Sequence, residues 1–168
     1  TERERIAGLV KDGEVIINMF GGVGMFSLLA AKNISCTVYN IDLNPVAAQL
    51  CKENVQINKL KGKVISLNGD ATEVINEQLV GKADRVLMLL PERSDEFLDS
   101  ALNGLKDKGI IHYYSHMHAD KKQDAGKLSE EHFMSVNKTN AEIITSRNVR
   151  PVGPRFYQTV VDVKISKN

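Results

Sequence analysis

"INMFGGVGMF", residues 17 to 26, sets three glycines between two apolar stretches, and the fold turns on what flanks them. Before the glycines, Glu14 to Met19 (EVIINM) is a short apolar run rich in β-branched residues, the composition of a buried strand. After them, Met25 to Lys32 (MFSLLAAK) is built from good helix formers. A strand, a glycine turn and a helix in that order present the helix N-terminus at the strand's C-terminal edge, where a nucleotide-like ligand can lie against bare backbone.

The alternation continues along the chain. Strands are expected at Glu14 to Met19, Cys36 to Ile41, Lys63 to Leu67, Arg85 to Leu90 and Gly109 to Ser115. Helices are expected at Met25 to Lys32, Pro45 to Asn58, Ala71 to Gln78, Ser94 to Leu105 and Ala119 to Asn140. The sum is an α/β fold with a doubly wound, mostly parallel sheet. The end differs: Ala141 to Val149 and Phe156 to Ile165 are strand-like runs joined by RPVGPR, which holds two prolines, one glycine and no helix. An antiparallel hairpin closing the sheet is the expectation. The polar stretch HMHADKKQDAGK, residues 116 to 127, reads as a mobile loop before or within the last helix.

At 168 residues, with 42% apolar and 26% charged, the chain is sized for one core, so residues 1–168 are expected to form a single domain. No apolar run is long enough to span a membrane. Thr1 is not an initiator methionine and TERERI has no signal-peptide character, so the chain reads as an excised piece of something longer. Two cysteines, Cys36 in a strand and Cys51 in a helix, suit a reduced cytoplasmic compartment. A net charge of +1 gives no electrostatic footprint for nucleic acid in this piece alone.

From Gly22 onward, G-V-G-M-F-S is one substitution from the dinucleotide fingerprint, and Asp42 ends the second strand where a ribose hydroxyl would be held. The bland alternative is that the glycines only allow tight packing of strand on helix. Phe20 before the glycines, IDLNP after the second strand, NGDA after the third and LLPE after the fourth all fall at C-terminal strand ends.

Those four stations resemble the motifs of Rossmann-like class I S-adenosylmethionine-dependent methyltransferases. The resemblance implies that Gly21, Gly22 and Gly24, with Asn18, Phe20 and Val23, form the turn under the methionine part of that cofactor. Asp42, with Leu43 and Asn44, would take the ribose, and Asp70 and Ala71, with Leu90 and Pro91, would lie beside the adenine. A carboxylate accepts two ribose hydroxyls through charge-assisted hydrogen bonds, which suits Asp42. Helix capping is the competing role: Asn44 before Pro45 can cap its helix unaided, whereas Asp70 can simply cap the helix starting at Ala71.

TERERI, MFGGVGMFS, NPVAAQLCKENVQINKL, DRVLMLLPERSDEFLDSAL and GIIHYY together resemble the catalytic domain of the archaeal and eukaryotic tRNA methyltransferases that modify guanosine at position 37, including relatives acting on wyosine precursors. The resemblance runs from Thr1 to the final strand. It implies a monomeric enzyme acting on an anticodon-loop base of tRNA, aided by further N-terminal domains. N1 of guanine becomes nucleophilic only when its proton leaves, and a carboxylate is a sensible acceptor. The family's Thr-Glu-Arg motif places Glu2 in that role, with Arg3 as a partner for a substrate phosphate or carbonyl. Read from its residues alone, TERERI is the solvated first turn of an amphipathic helix with Ile6, Leu9 and Val10 inward, and Arg5 belongs to its wet face.

Two positions depart from the family pattern. Asn18 stands where many members carry an acid, and Leu89-Leu90-Pro91 stands where they carry Asn-Leu-Pro or Asn-Pro-Pro. Leu89 cannot hydrogen-bond a purine edge, so base recognition must come from elsewhere. His112, His116 and His118 lack a second cluster with ligand spacing, so no metal site is expected. Two other function classes stay open: an NAD-type oxidoreductase, through the glycine run, and an inactive cofactor-binding module, through Asn18 and Leu89.

Phosphate neutralisation supplies most non-specific affinity for nucleic acid, and a net charge of +1 neutralises few phosphates. Residues 1–168 alone should therefore bind tRNA more weakly than micromolar at physiological salt, a result that filter binding or fluorescence anisotropy measures directly.

Overall fold

Thr1 opens the chain as a helix cap. Its hydroxyl accepts from the Glu4 amide while the Glu4 side chain reaches back to the Thr1 nitrogen, so the helix can begin at the second residue. The computed structural model describes every residue from Thr1 to Asn168. In chain order the elements are α1 (Glu2–Leu9), β1 (Val15–Asn18), α2 (Met25–Asn33), β2 (Thr37–Asp42), α3 (Pro45–Ile57) and β3 (Lys63–Asn68). They continue with α4 (Ala71–Val74), a π-helical turn (Ile75–Leu79), β4 (Ala83–Met88), a 3-10 turn (Pro91–Arg93), α5 (Ser94–Gly104), β5 (Leu105–His118), α6 (Ala125–Val136), β6 (Asn140–Gly153) and β7 (Phe156–Ser166). No helix is long and apolar enough to cross a membrane.

All seven strands form one sheet in the order β3-β2-β1-β4-β5-β7-β6. Strands β1 to β5 are parallel, as the alternation of apolar runs and helices requires. The expected hairpin forms, but its second strand inserts between β5 and β6, antiparallel to both. Because β6 opposes β7, it runs in the same direction as β5, and β7 alone is reversed. The turn falls at Pro154 and Arg155, and Arg155 adopts a left-handed φ of 53°. The expected helix from Ala119 to Asn140 is shorter at both ends. Asp124 caps it by accepting from the amides of Gly126 and Lys127, and β5 carries His116 to His118 that had been read as loop.

The two faces of the sheet are packed differently. On one, Ile17, Met88, Ile111 and Val161 join a cluster of 20 buried apolar residues beneath α4, α5 and α6, whereas the face under α1, α2 and α3 has a cluster of only 10. Apolar residues fill that second face from β3 to β1, where Val64, Val38 and Ile16 stand in register. Toward β7 charge takes their place. Arg85 donates to Glu14 (2.9 Å) and to His112 Nε2 (2.8 Å), and His112 Nδ1 lies 2.7 Å from Asp162. Arg5 donates to Asp162 (2.5 Å) and to Glu2 (2.7 Å). Arg147 closes the chain on the other Glu2 oxygen at 3.1 Å.

Three carboxylates and three guanidiniums thus alternate around one imidazole. A guanidinium has no acceptor, so His112 Nε2 must accept from Arg85 and the proton must sit on Nδ1, facing Asp162. The imidazole is therefore neutral. Burial pushes its pKa down, against the opposing effect of its hydrogen bond to the Asp162 carboxylate. Burial acts on Asp162 in the opposite sense, but hydrogen bonds from His112 and Arg5 overcome it and hold that carboxyl at about 2.

These shifts fix how acid acts on the fold. The unfolded chain protonates its histidine near the ordinary value of about 6.5 while folded His112 resists, so protons bind the unfolded state preferentially below that pH. The Asp162 contribution is intact above 3.8 and is lost as pH falls from there toward about 2. The melting temperature should accordingly fall as pH is lowered from about 7 to about 5, and His112→Asn, which keeps a donor for Asp162 but does not titrate, should flatten that slope. Differential scanning fluorimetry across the pH range tests both, and a His112→Asn slope equal to the parent's would contradict the assignment.

Candidate functional site

The glycine turn lies at the C-terminal end of β1, and its three glycines answer different needs. A Cβ on Gly21 would meet Asn40 Oδ1 at 1.9 Å, and one on Gly24, whose φ is +94°, would meet Cys51 Sγ at 2.7 Å. Both are explained by the protein's own packing. Gly22 has a φ of +57° and nothing within 4 Å of where its Cβ would stand, so its bare face is open to a ligand. Beneath the turn, Asn18, Ser27 and Asn40 form a buried polar cluster in which Asn40 donates to the Gly22 carbonyl. Asn18 Oδ1 is the one buried side-chain acceptor with no partner.

Asp42 ends β2 beside this turn. One of its oxygens accepts from the Gly22 amide (2.8 Å), and the other accepts from the Asn44 amide (2.9 Å). An ionised carboxylate offers about four acceptor positions, so each oxygen retains one for an incoming hydroxyl. Asn44 caps α3 by accepting from the Val46 amide, which leaves Asp42 free of that duty. Asp70 does serve as a cap, accepting from the Glu73 amide at 3.0 Å, but it also borders a cavity of about 320 Å³.

That cavity is a cleft at the C-terminal sheet edge. Asp42, Leu43, Asp70, Ala71, Phe20 and Leu90 line it, as expected for a cofactor site. Met19, Gly69, Leu89, Arg93 and Phe97 also line it and were not foreseen. Phe97 packs edge-to-face on Phe20 (4.9 Å between centroids), and Arg93 lies over the Phe97 ring. Their signal was present in SDEFLDSAL, whose spacing turns Phe97 inward with Leu98 and Ala101, but nothing local ties that face to the glycine turn. Pro91 lies instead on a different cavity with Glu92, Asp95 and His132. The Val23 carbonyl is occupied by Asn54 Nδ2, and Asn18 is buried below the turn.

A second cavity, of about 650 Å³, lies beside the first, with Glu2, Arg3 and Tyr114 on one part of its wall and Val149, Arg150 and Gln158 on another. Leu89 borders both cavities. The Glu2 carboxylate is largely buried and held from three directions. Tyr114 donates its hydroxyl to Oε1 at 2.8 Å, Arg5 chelates both oxygens, and Arg147 donates to Oε2. Burial, followed by the charge of Glu2, pushes the Tyr114 pKa well above the ordinary tyrosine value, so the phenol keeps its proton and remains a donor. Arg3 has no side-chain partner and is exposed. Arg5, read from the sequence as a wet-face charge, is instead largely buried against Glu2 and Asp162. The hydrogen-bonded carboxylates supply enough charge compensation to keep it there.

A sequence profile described as the TRM5/TYW2 methyltransferase domain matches residues 1–143. Among curated relatives, the tRNA (guanine(37)-N(1))-methyltransferase Trm5b of Methanocaldococcus jannaschii is 39% identical, covering 99% of this chain and 45% of its own length. The tRNA 4-demethylwyosine(37)-methyltransferase Taw21 of Saccharolobus solfataricus is also 39% identical, covering 97% of this chain and 59% of its own length. The chain thus spans about half the length of these relatives. Its fold superimposes on the crystal structure of M. jannaschii Trm5 in complex with adenosine with a TM-score of 0.84 at 35% identity, covering 99% of this chain and 48% of that one. The dinucleotide-oxidoreductase alternative finds no support in these likenesses, and the reversed β7 departs from the all-parallel sheet that alternative requires.

Proposed function

The chain belongs to the TRM5/TYW2 methyltransferase domain family, and from that premise we propose that it transfers a methyl group from S-adenosylmethionine to guanosine, or to a wyosine precursor made from it, at position 37 of tRNA. The observation that carries this reading is the shared wall: Leu89 borders both the cavity holding Asp42 and the cavity holding Glu2. A methyl donor in the first and a base in the second would meet across one side chain.

The residues present fit the cofactor. Asp42 retains two acceptor positions for a ribose diol, Phe20, Leu90 and Phe97 supply apolar walls for a purine, and the bare face of Gly22 allows close approach. The unpaired Asn18 oxygen, buried under the turn at the end of β1, is an uncharged acceptor complementary to the ammonium of the methionine part. Bound here, the cofactor supplies an electrophilic methyl on a sulfonium. The related M. jannaschii Trm5 crystal structure is a complex with adenosine, the nucleoside part of this cofactor, which supports the cofactor class. A tRNA substrate and two free cysteines suit a reducing cytoplasm.

Glu2 is the residue best placed to take a proton from the base. Its Oε1 accepts from Tyr114 and Arg5, whereas Oε2 accepts from Arg5 Nε at 3.2 Å and, from outside, from Arg147, which is 42% exposed and can yield its place. Guanine N1–H would donate to Oε2, the proton would pass to the carboxylate, and the nitrogen lone pair would be freed for attack. Tyr114 and Arg5 then hold the Glu2 rotamer through the step. Arg3, unpaired and exposed on the same cavity, is positioned to hold a phosphate or a carbonyl oxygen.

Asp42→Ala should weaken S-adenosylhomocysteine binding by about 1.5 to 3 kcal/mol, the scale of hydrogen bonds to a charged group. Calorimetry beside NAD tests the cofactor class, and tighter binding of NAD would overturn it. Glu2→Gln in the intact enzyme should slow single-turnover methylation by roughly 100-fold or more while leaving cofactor affinity unchanged, because the cofactor contacts lie on other loops. Turnover at the parental rate would remove Glu2 from the chemistry.

A further inference from the structure

Leu89, just past the end of β4, offers the cavity it shares with Glu2 no hydrogen-bonding side chain, yet the cavity does contain an amide, on a different strand. Gln158 is half-buried on β7, on the same sheet face as Asp162, and it lines the cavity that Glu2 lines. Its Oε1 accepts from Arg150 Nε at 2.9 Å, and β6 brings Arg150 opposite it in register. From the geometry we propose that Gln158, oriented by Arg150, reads the 6-oxo edge of the target purine and takes over the recognition that Leu89 cannot perform. This inference rests on the reading that the cavity receives a base.

The argument turns on which end of the amide is free. A guanidinium only donates, so the Gln158 atom facing it must be the oxygen, and the orientation follows from chemistry whatever the electron count at N and O. With its acceptor engaged, Gln158 offers the cavity two N–H donors, and Arg150 has further N–H groups beside them. The pair therefore forms an edge of donors only. Guanine presents O6 and N7, both acceptors, along one side, whereas adenine presents a 6-amino donor there. A tricyclic base built on the N1 and N2 side of guanine keeps the same O6 and N7, so both candidate substrates satisfy the same edge. The apolar remainder of the wall, Phe26, Leu89 and Val149, offers the base face contact without any acceptor that would favour adenine.

The assignment makes Gln158 a specificity residue and Arg150 a positioning residue, and binding tests both without requiring turnover. Short single-stranded RNAs carrying guanosine, inosine or 2-aminopurine at the target position are titrated into the intact protein. Inosine keeps O6, N7 and the N1–H, whereas 2-aminopurine lacks both O6 and the N1–H that Glu2 would accept. The parent should bind the guanosine and inosine RNAs alike and the 2-aminopurine RNA about 10-fold or more weaker, the scale of one well-placed donor pair on a base edge. Gln158→Leu should weaken the guanosine and inosine RNAs by about 10-fold and leave the 2-aminopurine RNA within about 2-fold of its parental affinity, because only the first two present the O6 that Gln158 reads. Gln158→Glu, similar in size but without donors, should do the same, which separates loss of recognition from collapse of the cavity. Arg150→Leu frees the amide to rotate and should reduce the discrimination while leaving melting temperature unchanged. Equal binding of guanosine and 2-aminopurine by the parent overturns the proposal, as does a preference that both Gln158 substitutions leave undiminished. Because proton removal plays no part in this measurement, parental turnover by Glu2→Gln would dismiss the general base and leave the Gln158 result standing.

Discussion

Arg5 meets Asp162 across 157 positions of sequence, and the placement of the target cavity depends on that contact. Helix α1 contributes only Ile6 to the apolar core and its C-cap adds Val10, with Leu9 left exposed, so apolar packing alone would hold it loosely on the sheet. The ion pair fixes it. Asp162 is itself oriented by His112, which is oriented by Arg85, which also binds the Leu9 carbonyl and Glu14. Removing one partner of such a chain leaves an uncompensated buried charge, typically at a cost of about 3 to 5 kcal/mol, which is why the members stand or fall together. The alternation of sign keeps the assembly neutral and allows so much charge beneath one helix.

The same chain decides where Glu2 points. Its carboxylate is the last link, and the Tyr114 hydroxyl reaches it from β5, the strand that also carries His112. The cofactor side is organised by different means. There the constraint is steric and local: Asn40 and Cys51 press on the glycine turn from below, and Asp42 draws the Gly22 amide toward itself. One half of the site is therefore set by short-range packing at the end of β1 and β2, and the other by a long-range electrostatic relay reaching to β7. Leu89 lies where the two halves touch.

That division explains what could be read from the sequence. The glycine turn, Asp42, the Asn44 cap and the strand–helix alternation are local features, and each appears as a short pattern with a single physical meaning. The relay has no such pattern. Arg85, His112 and Asp162 are scattered over three strands and become neighbours only through strand order, and the insertion of β7 between β5 and β6 is not written in the hairpin's turn. Arg5 looked like a wet charge because charge runs on helices usually are, and only the far carboxylate makes it a buried one. Phe97 and Arg93 carry no local signal for a similar reason: α5 and the 3-10 turn before it face the cleft only once β4 and β1 are paired. Pro91 follows Leu90 in the sequence, which points to the cofactor site, but the 3-10 turn it begins carries it round to another cavity.

The late arrival of β7 bears on how the protein is made. Synthesis delivers Glu2 before Asp162, so a nascent chain carries the Glu2 carboxylate well before the residue that anchors Arg5 beside it. Until β7 enters its slot, β5 and β6 have no common partner and Arg5 has no anchor on the sheet. The glycine turn, by contrast, is complete once β2 and α3 have formed. A chain made as far as α5 can thus form the Asp42 cleft while the Glu2 cavity still lacks its β7 wall. The order in which the strands are laid down sets the two cavities apart in time as well as in space.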